Sequence, residues 1–230
     1  MFRTIVLSFI TAVAALAAEN QNPEGTWATQ INGHDHGVCY ITFSNNFTEV
    51  GYGISFDADG PFELLGTWDN DNNGKLVGAC TMGGVAASFG GKVTPKKLLV
   101  NATSTSGRFN FNGRPAGPYD DLSGPWTATV REYNRQFFMN FTCTLSTNQP
   151  GWFDLAGTGA SGQGAFTVTG AIVITPDNDC AAYVDLDYGK STHRDVLEGK
   201  LVKNGKKLVL RGHTDNKENA SIKAERIQIE

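Results

Sequence analysis

Four small clusters in this 230-residue chain carry residue types that could do chemistry. Asp69, Asp71 and Asn73 alternate ahead of Gly74, which is how a calcium loop begins: oxygen ligands at every second position and a glycine for the sharp turn. A full loop of that kind needs a bidentate glutamate at its twelfth position, and Cys80 stands there. The spacing therefore predicts an Asx-rich hairpin turn. His34 and His36 flank Asp35, and two imidazoles so close could begin a zinc or copper site. The other histidines, His193 and His213, lie far along the chain, so a solvated turn is expected and no metal. Asp185 and Asp187 stand one pleat repeat apart beside Tyr183, near the separation of paired glycosidase carboxylates. Nothing in the sequence supplies the burial or partners that would split their pKa values. The fourth cluster is the repeated basic pair, Lys96-Lys97 and Lys206-Lys207, which reads as hairpin lysines that block edge pairing. There is no G-x-S-x-G elbow, no cysteine with a histidine partner, and no glycine loop ahead of a helix to cradle a phosphate. No cofactor is expected.

The elements that must position these groups are short. Charged residues make up 18% of the chain, against 27 Gly, 18 Asn and 22 Thr, a balance that favours strands and turns over long solvated helices. The hydrophobic content of 40% is too high for disorder, and a net charge of -4 gives no broad basic footprint for nucleic acid. Arg3, an apolar run from Ile5 to Leu16 and the small-residue site Ala15-Leu16-Ala17 have the layout of a secretory signal over residues 1–17. The run is too short to span a bilayer, so membrane insertion is not expected and the mature chain is expected outside the cell, or in the periplasm of a bacterium. Asn46, Asn101, Asn140 and Asn219 each open an Asn-x-Ser/Thr sequon and are glycan acceptors if the host glycosylates.

The mature chain reads twice. Gly25-Thr-Trp27 answers to Gly124-Pro-Trp126, Phe62 to Phe166 and Gly91-Lys to Gly199-Lys, at offsets that grow from 99 to 104 to 108. Each copy divides into eight short runs of strand character. In the run 136–145, Phe137, Met139, Phe141, Cys143 and Leu145 share one face and Phe138, Asn140, Thr142 and Thr144 the other, a period of two that marks a half-buried strand. The expected fold is all-β: two tandem eight-stranded antiparallel up-and-down barrels, residues 24–114 and 120–230, joined by a linker at 115–119. One merged barrel or a sandwich is the alternative. Gly113-Arg-Pro-Ala-Gly-Pro118 is expected as linker, because its prolines cannot serve a central strand. Cys39 and Cys143 fall on the second strands, Cys80 and Cys180 on the fifth, all in phase with apolar neighbours. Four cysteines allow three pairings, and the duplication selects Cys39–Cys80 and Cys143–Cys180 in an oxidising compartment.

The Gly-x-Trp at the start of each compact meander resembles the opening of lipocalin and avidin barrels. The resemblance implies that Trp27 and Trp126 close one barrel end and that a cavity holds a small, often apolar ligand. The functional expectation is a secreted binding protein for a small, largely apolar molecule or a glycan, with a pocket near Trp27, Tyr40, Trp68, Trp126 or Trp152. One alternative is a lipocalin-like isomerase or cyclase acting on an apolar metabolite by holding it in shape. Another is a secreted surface or host-interaction protein. The sequence leaves the oligomeric state open.

Overall fold

The computed structural model describes residues 22–71 and 73–227; the expected signal peptide lies outside the described residues. The first barrel is formed by β1 (Gly25–Gly33), β2 (Gly37–Phe43), β3 (Thr48–Ser55), β4 (Gly60–Asn70), β5 (Lys75–Met82), β6 (Val85–Thr94), β7 (Lys97–Ser104) and β8 (Arg108–Pro115). The second is formed by β9 (Gly124–Glu132), β10 (Arg135–Leu145), β11 (Trp152–Ser161), β12 (Gly164–Ile174), β13 (Asp179–Asp187), β14 (Thr192–Val202), β15 (Lys207–Thr214) and β16 (Asn219–Arg226). Every strand pairs antiparallel with its sequence neighbour, and each set closes on itself, β1 with β8 and β9 with β16. Closure satisfies the backbone groups that an open sheet would leave along its edges.

Alternation along the strands decides which side chains fill each barrel. On β10 the burial alternates from Phe137 to Cys143, with Phe138, Asn140 and Thr142 outside, as the period of two requires. The two copies are equivalent strand by strand: Phe62 lies on β4 and Phe166 on β12, Gly91 on β6 and Gly199 on β14. Both Gly-x-Trp tryptophans turn inward and donate their indole N–H to a carbonyl four residues back, Trp27 to Pro23 at 2.7 Å and Trp126 to Leu122 at 2.8 Å. A buried indole needs such a partner, and here the chain leading into each barrel provides it.

The barrels pack side by side through their outer walls. Ala28, Val38, Tyr40 and Ile54 of the first meet Trp152, Ala171, Val173, Ala181 and Val196 of the second in one buried cluster. Tyr40 Oη donates to the Ile174 carbonyl at 2.8 Å, and Tyr52 Oη to the Pro150 carbonyl at 2.9 Å. Gly151 takes φ +69°, and a Cβ there would sit 2.6 Å from Tyr40 Oη, so the loop before β11 needs glycine to let the tyrosine in. Asp59, in the β3–β4 turn, accepts from Lys217 Nζ at 2.8 Å and, through its carbonyl, from Arg194 at 3.3 Å.

Two expectations are corrected. The cysteines face inward as their phase requires, but all four are free thiols and neither within-copy disulfide forms. Phase fixes the face of the wall and not the position around it. The second and fifth strands are three ladder steps apart, ~14 Å along the wall, against the ~7 Å that a bridge between Cα atoms allows. Cys39 Sγ instead lies 2.8 Å from Thr29 Oγ1. The linker also starts later than expected. Gly113–Pro115 completes β8 against β1, with Pro115 as its last residue opposite Trp27. Ala116 N–H carries the pairing on by donating to the Thr26 carbonyl at 2.8 Å, so the missing proline N–H falls at the strand end where it costs least.

Candidate functional site

The interiors were the first place to seek a ligand, and they are packed. In barrel 1, Trp68 donates to the Thr48 carbonyl at 3.1 Å and meets Phe43 edge-on at 5.8 Å. In barrel 2, Trp126 stacks on Phe141 at 6.4 Å and Phe137 meets Phe166 edge-on at 5.5 Å. The hollow within barrel 1, between Phe43, Glu49, Leu64, Cys80 and Phe111, measures about 10 Å³, room for at most one water. A second hollow of about 80 Å³ lies at the barrel 1 mouth, among Ser55, Asp57, Met82, Ser104 and Phe109. Of the five aromatic residues expected around a ligand, Trp27, Trp68 and Trp126 belong to the barrel cores, while Tyr40 and Trp152 belong to the seam between barrels.

Two buried carboxyls stand out inside the barrels. Glu49 points inward from β3 with Oε1 unpartnered, into a slot that exists because Gly66 faces it; a Cβ on Gly66 would lie 2.4 Å from that oxygen. Asp195 on β14 is 1% exposed and neither of its carboxyl oxygens has a partner. Burial pushes both up to about 8, so each is protonated at neutral pH. The thiols are likewise held in their neutral form: burial pushes Cys39, Cys80 and Cys143 up to about 12 and raises Cys180 as well. A protonated, enclosed thiol is a poor nucleophile.

The polar clusters of the sequence serve the frame. Asp71 Oδ1 accepts from the backbone N–H of Asn73 and of Lys75, both at 3.0 Å, which makes the calcium-like run an Asx turn in the β4–β5 hairpin. Asp35 Oδ1 accepts from the N–H of His36 at 2.8 Å and of Asp57 at 3.0 Å, tying two loops of the barrel 1 mouth together. His36 and His213, from different barrels, both lie against Phe56, at 6.3 and 5.0 Å. Asp185 does not pair with Asp187; it holds Arg194 through two bonds of 2.7 Å, while Asp187 caps its own turn through Gly189 N–H. Among the described residues no group of three His, Cys, Asp or Glu could hold a metal ion. The four sequon asparagines are all exposed, Asn140 and Asn219 on the outer wall of barrel 2.

That outer wall carries a broad hollow of about 630 Å³ over β9, β10, β15 and β16. Its floor follows the register. One row across the strands reads Gln136, Arg131, Ser221, Arg211; the next reads Phe138, Thr129, Lys223, Val209. Phe138 is 63% exposed, although its strand has an apolar interior face available to it. These residues were not among the expected ligand contacts. The signal that could have found them is the phenylalanine on the polar face of the 136–145 alternation.

No protein-family model matches the sequence, and neither does any curated protein. Among solved structures, the chain is similar to a protein of unknown function of the DUF3598 family from Nostoc punctiforme, with 12% identity, 89% of this chain and 96% of that chain covered, and a TM-score of 0.31. A likeness of that degree carries no argument about activity.

Proposed function

We propose that this is a secreted binding protein for a glycan, and that it binds on the outer wall of barrel 2 and not in a barrel cavity. The observation that carries the reading is the contrast in volume. The hollow inside barrel 1 is about 10 Å³ and that at its mouth about 80 Å³, whereas the outer-wall hollow is about 630 Å³. Sites for drug-sized ligands run to ~300–1,000 Å³. Small apolar ligands, and the apolar substrates of a cyclase, need enclosure that the first two do not offer. Carbohydrate binds well to an open wall that presents hydroxyls, amides and one aromatic ring: here Thr127, Thr129, Ser221, Gln136 and Phe138. Secretion is part of the proposal and rests on the signal-like residues 1–17.

The test is a panel of soluble polysaccharides cast into native gels, run with the mature protein and with Phe138→Ala. Retardation by at least one polysaccharide, weakened several-fold in Phe138→Ala, supports the reading. Free migration through every polysaccharide, with a small molecule recovered from the purified protein, overturns it.

A further inference from the structure

We infer that the glycan taken by this wall is anionic, a polysaccharide bearing carboxylates or sulfates. This rests on the glycan reading above and adds the charge of the ligand. The hollow does not end at barrel 2. A second, of about 290 Å³, shares Val209 and Arg211 with it; a third, also about 290 Å³, shares Gln30 and Asp179 with the second and reaches Lys96, Lys97 and Arg114 of barrel 1. The three hollows therefore adjoin in a row that passes from barrel 2 to barrel 1, and together they make up the groove.

Eight cations line this groove against four carboxylates, in a chain whose net charge is -4. Three of the carboxylates are each matched to a cation within the groove: Glu225 to Lys207 at 2.9 Å, Asp179 to Lys200 at 2.9 Å, and Asp177 to Arg114. That leaves Arg131, Arg211, Lys223, Lys96 and Lys97 without an ion pair among the described residues, with Glu198 as the one remaining acid. Concentrating positive charge in one groove of an acidic protein steers anions to it and away from the rest of the surface. The lysine pair at 96–97 gains a role here that edge protection cannot supply, because a closed barrel has no edge.

The spacing suits a polymer with intermittent charge. Arg131 and Arg211 flank Ser221, two ladder steps or ~10 Å apart, and Lys223 follows ~7 Å along β16. Hydroxyls and Phe138 occupy the places between, where uncharged parts of a sugar chain would rest. Single-stranded nucleic acid is served by aromatic platforms in series. Phe138 is the one aromatic residue that lines any of the three hollows.

The experiment compares polygalacturonate, dextran sulfate, unmodified dextran and a single-stranded oligonucleotide as ligands for three proteins: wild type, R131A/R211A/K223A, and the control K75A/K92A/K190A, which removes equal charge elsewhere. All six positions are exposed, so both triple variants keep the buried cores. The expected result is binding of at least one anionic polysaccharide that falls tenfold or more in the groove variant and less than threefold in the control. It should also weaken roughly twentyfold or more between 50 and 200 mM salt, as for a contact neutralising about three charges. Equal binding of unmodified dextran would overturn the anionic assignment and leave the glycan reading standing. Tighter binding of the oligonucleotide than of either anionic polysaccharide would overturn the choice of polymer. No binding of any polysaccharide would remove the glycan reading itself.

Discussion

Glu49 offers the sharpest physical test of the barrel interior. Its carboxyl sits in a hollow of about 10 Å³ with Oε1 unpartnered, and burial pushes its pKa from 4.5 up to about 8. The unfolded chain loses this proton near pH 4.5, whereas the folded chain keeps it until pH 8. Between those values the folded state binds more protons, so stability falls as pH rises and levels off above pH 8. The rise from 4.5 to about 8, at 1.36 kcal/mol per pH unit, sets an upper limit of about 5 kcal/mol. Glu49→Gln keeps the shape and cannot ionise. Urea titrations of both proteins from pH 4.5 to 9 isolate the residue, since every other titrating group cancels in the difference. The variant should gain on wild type steadily across that range, by up to about 5 kcal/mol, a midpoint shift of roughly 2 M urea. A difference that stays flat from pH 4.5 to 8 would refute the argument, since it would mean that Glu49 ionises in the fold as freely as in water.

Other outcomes follow from the same structure. Asp195→Asn should behave alike in barrel 2, with its gain also developing up to about pH 8, read from the same titrations. Gly151→Ala places a Cβ against Tyr40 and the Ile174 carbonyl at φ +69°, and should destabilise the seam by at least about 2 kcal/mol, seen as a lowered Tm. Ellman's reagent should find the native thiols unreactive and four thiols per chain after unfolding without reductant; two or none would restore the disulfides. Peptide mapping of protein from a glycosylating host should find glycan at the exposed Asn46 and Asn101. Glycan at Asn140, which shares the outer face of β10 with Phe138, should weaken polysaccharide binding relative to Asn140→Gln.

The strands were legible because their signals are local. Turn residues such as Asp57–Gly60 and Asn204-Gly205, and the two-residue period of Phe137 to Cys143, place thirteen of the sixteen strands within two residues at each end. The exceptions are β11, which runs on through Gly157 and Gly159 to Ser161, β14, which begins early at Thr192, and β16, expected to run to residue 229 but ending at Arg226; glycine and polar runs hid the first two. What a strand's outer face meets is not local. Tyr40 and Trp152 are large aromatics whose burial is consistent with a ligand pocket or with a protein seam, and only the packing of one barrel on the other distinguishes the two. The separation of the cysteines around each barrel follows from strand order in the closed wall, which the period does not encode. Arg131, Ser221 and Arg211 come from three strands and become neighbours through register alone.

The central claim is that ligand meets the outside of a barrel whose inside is full. Backbone amide NMR of the isotope-labelled mature protein, titrated with a galacturonate hexasaccharide, tests it residue by residue. The account predicts shift changes on the outward positions of β9, β10, β15 and β16, centred on Thr129, Arg131, Phe138, Arg211 and Lys223. Changes centred instead on the inward-facing Trp27, Trp126 and Phe166 would contradict it, because they would place the ligand within a barrel.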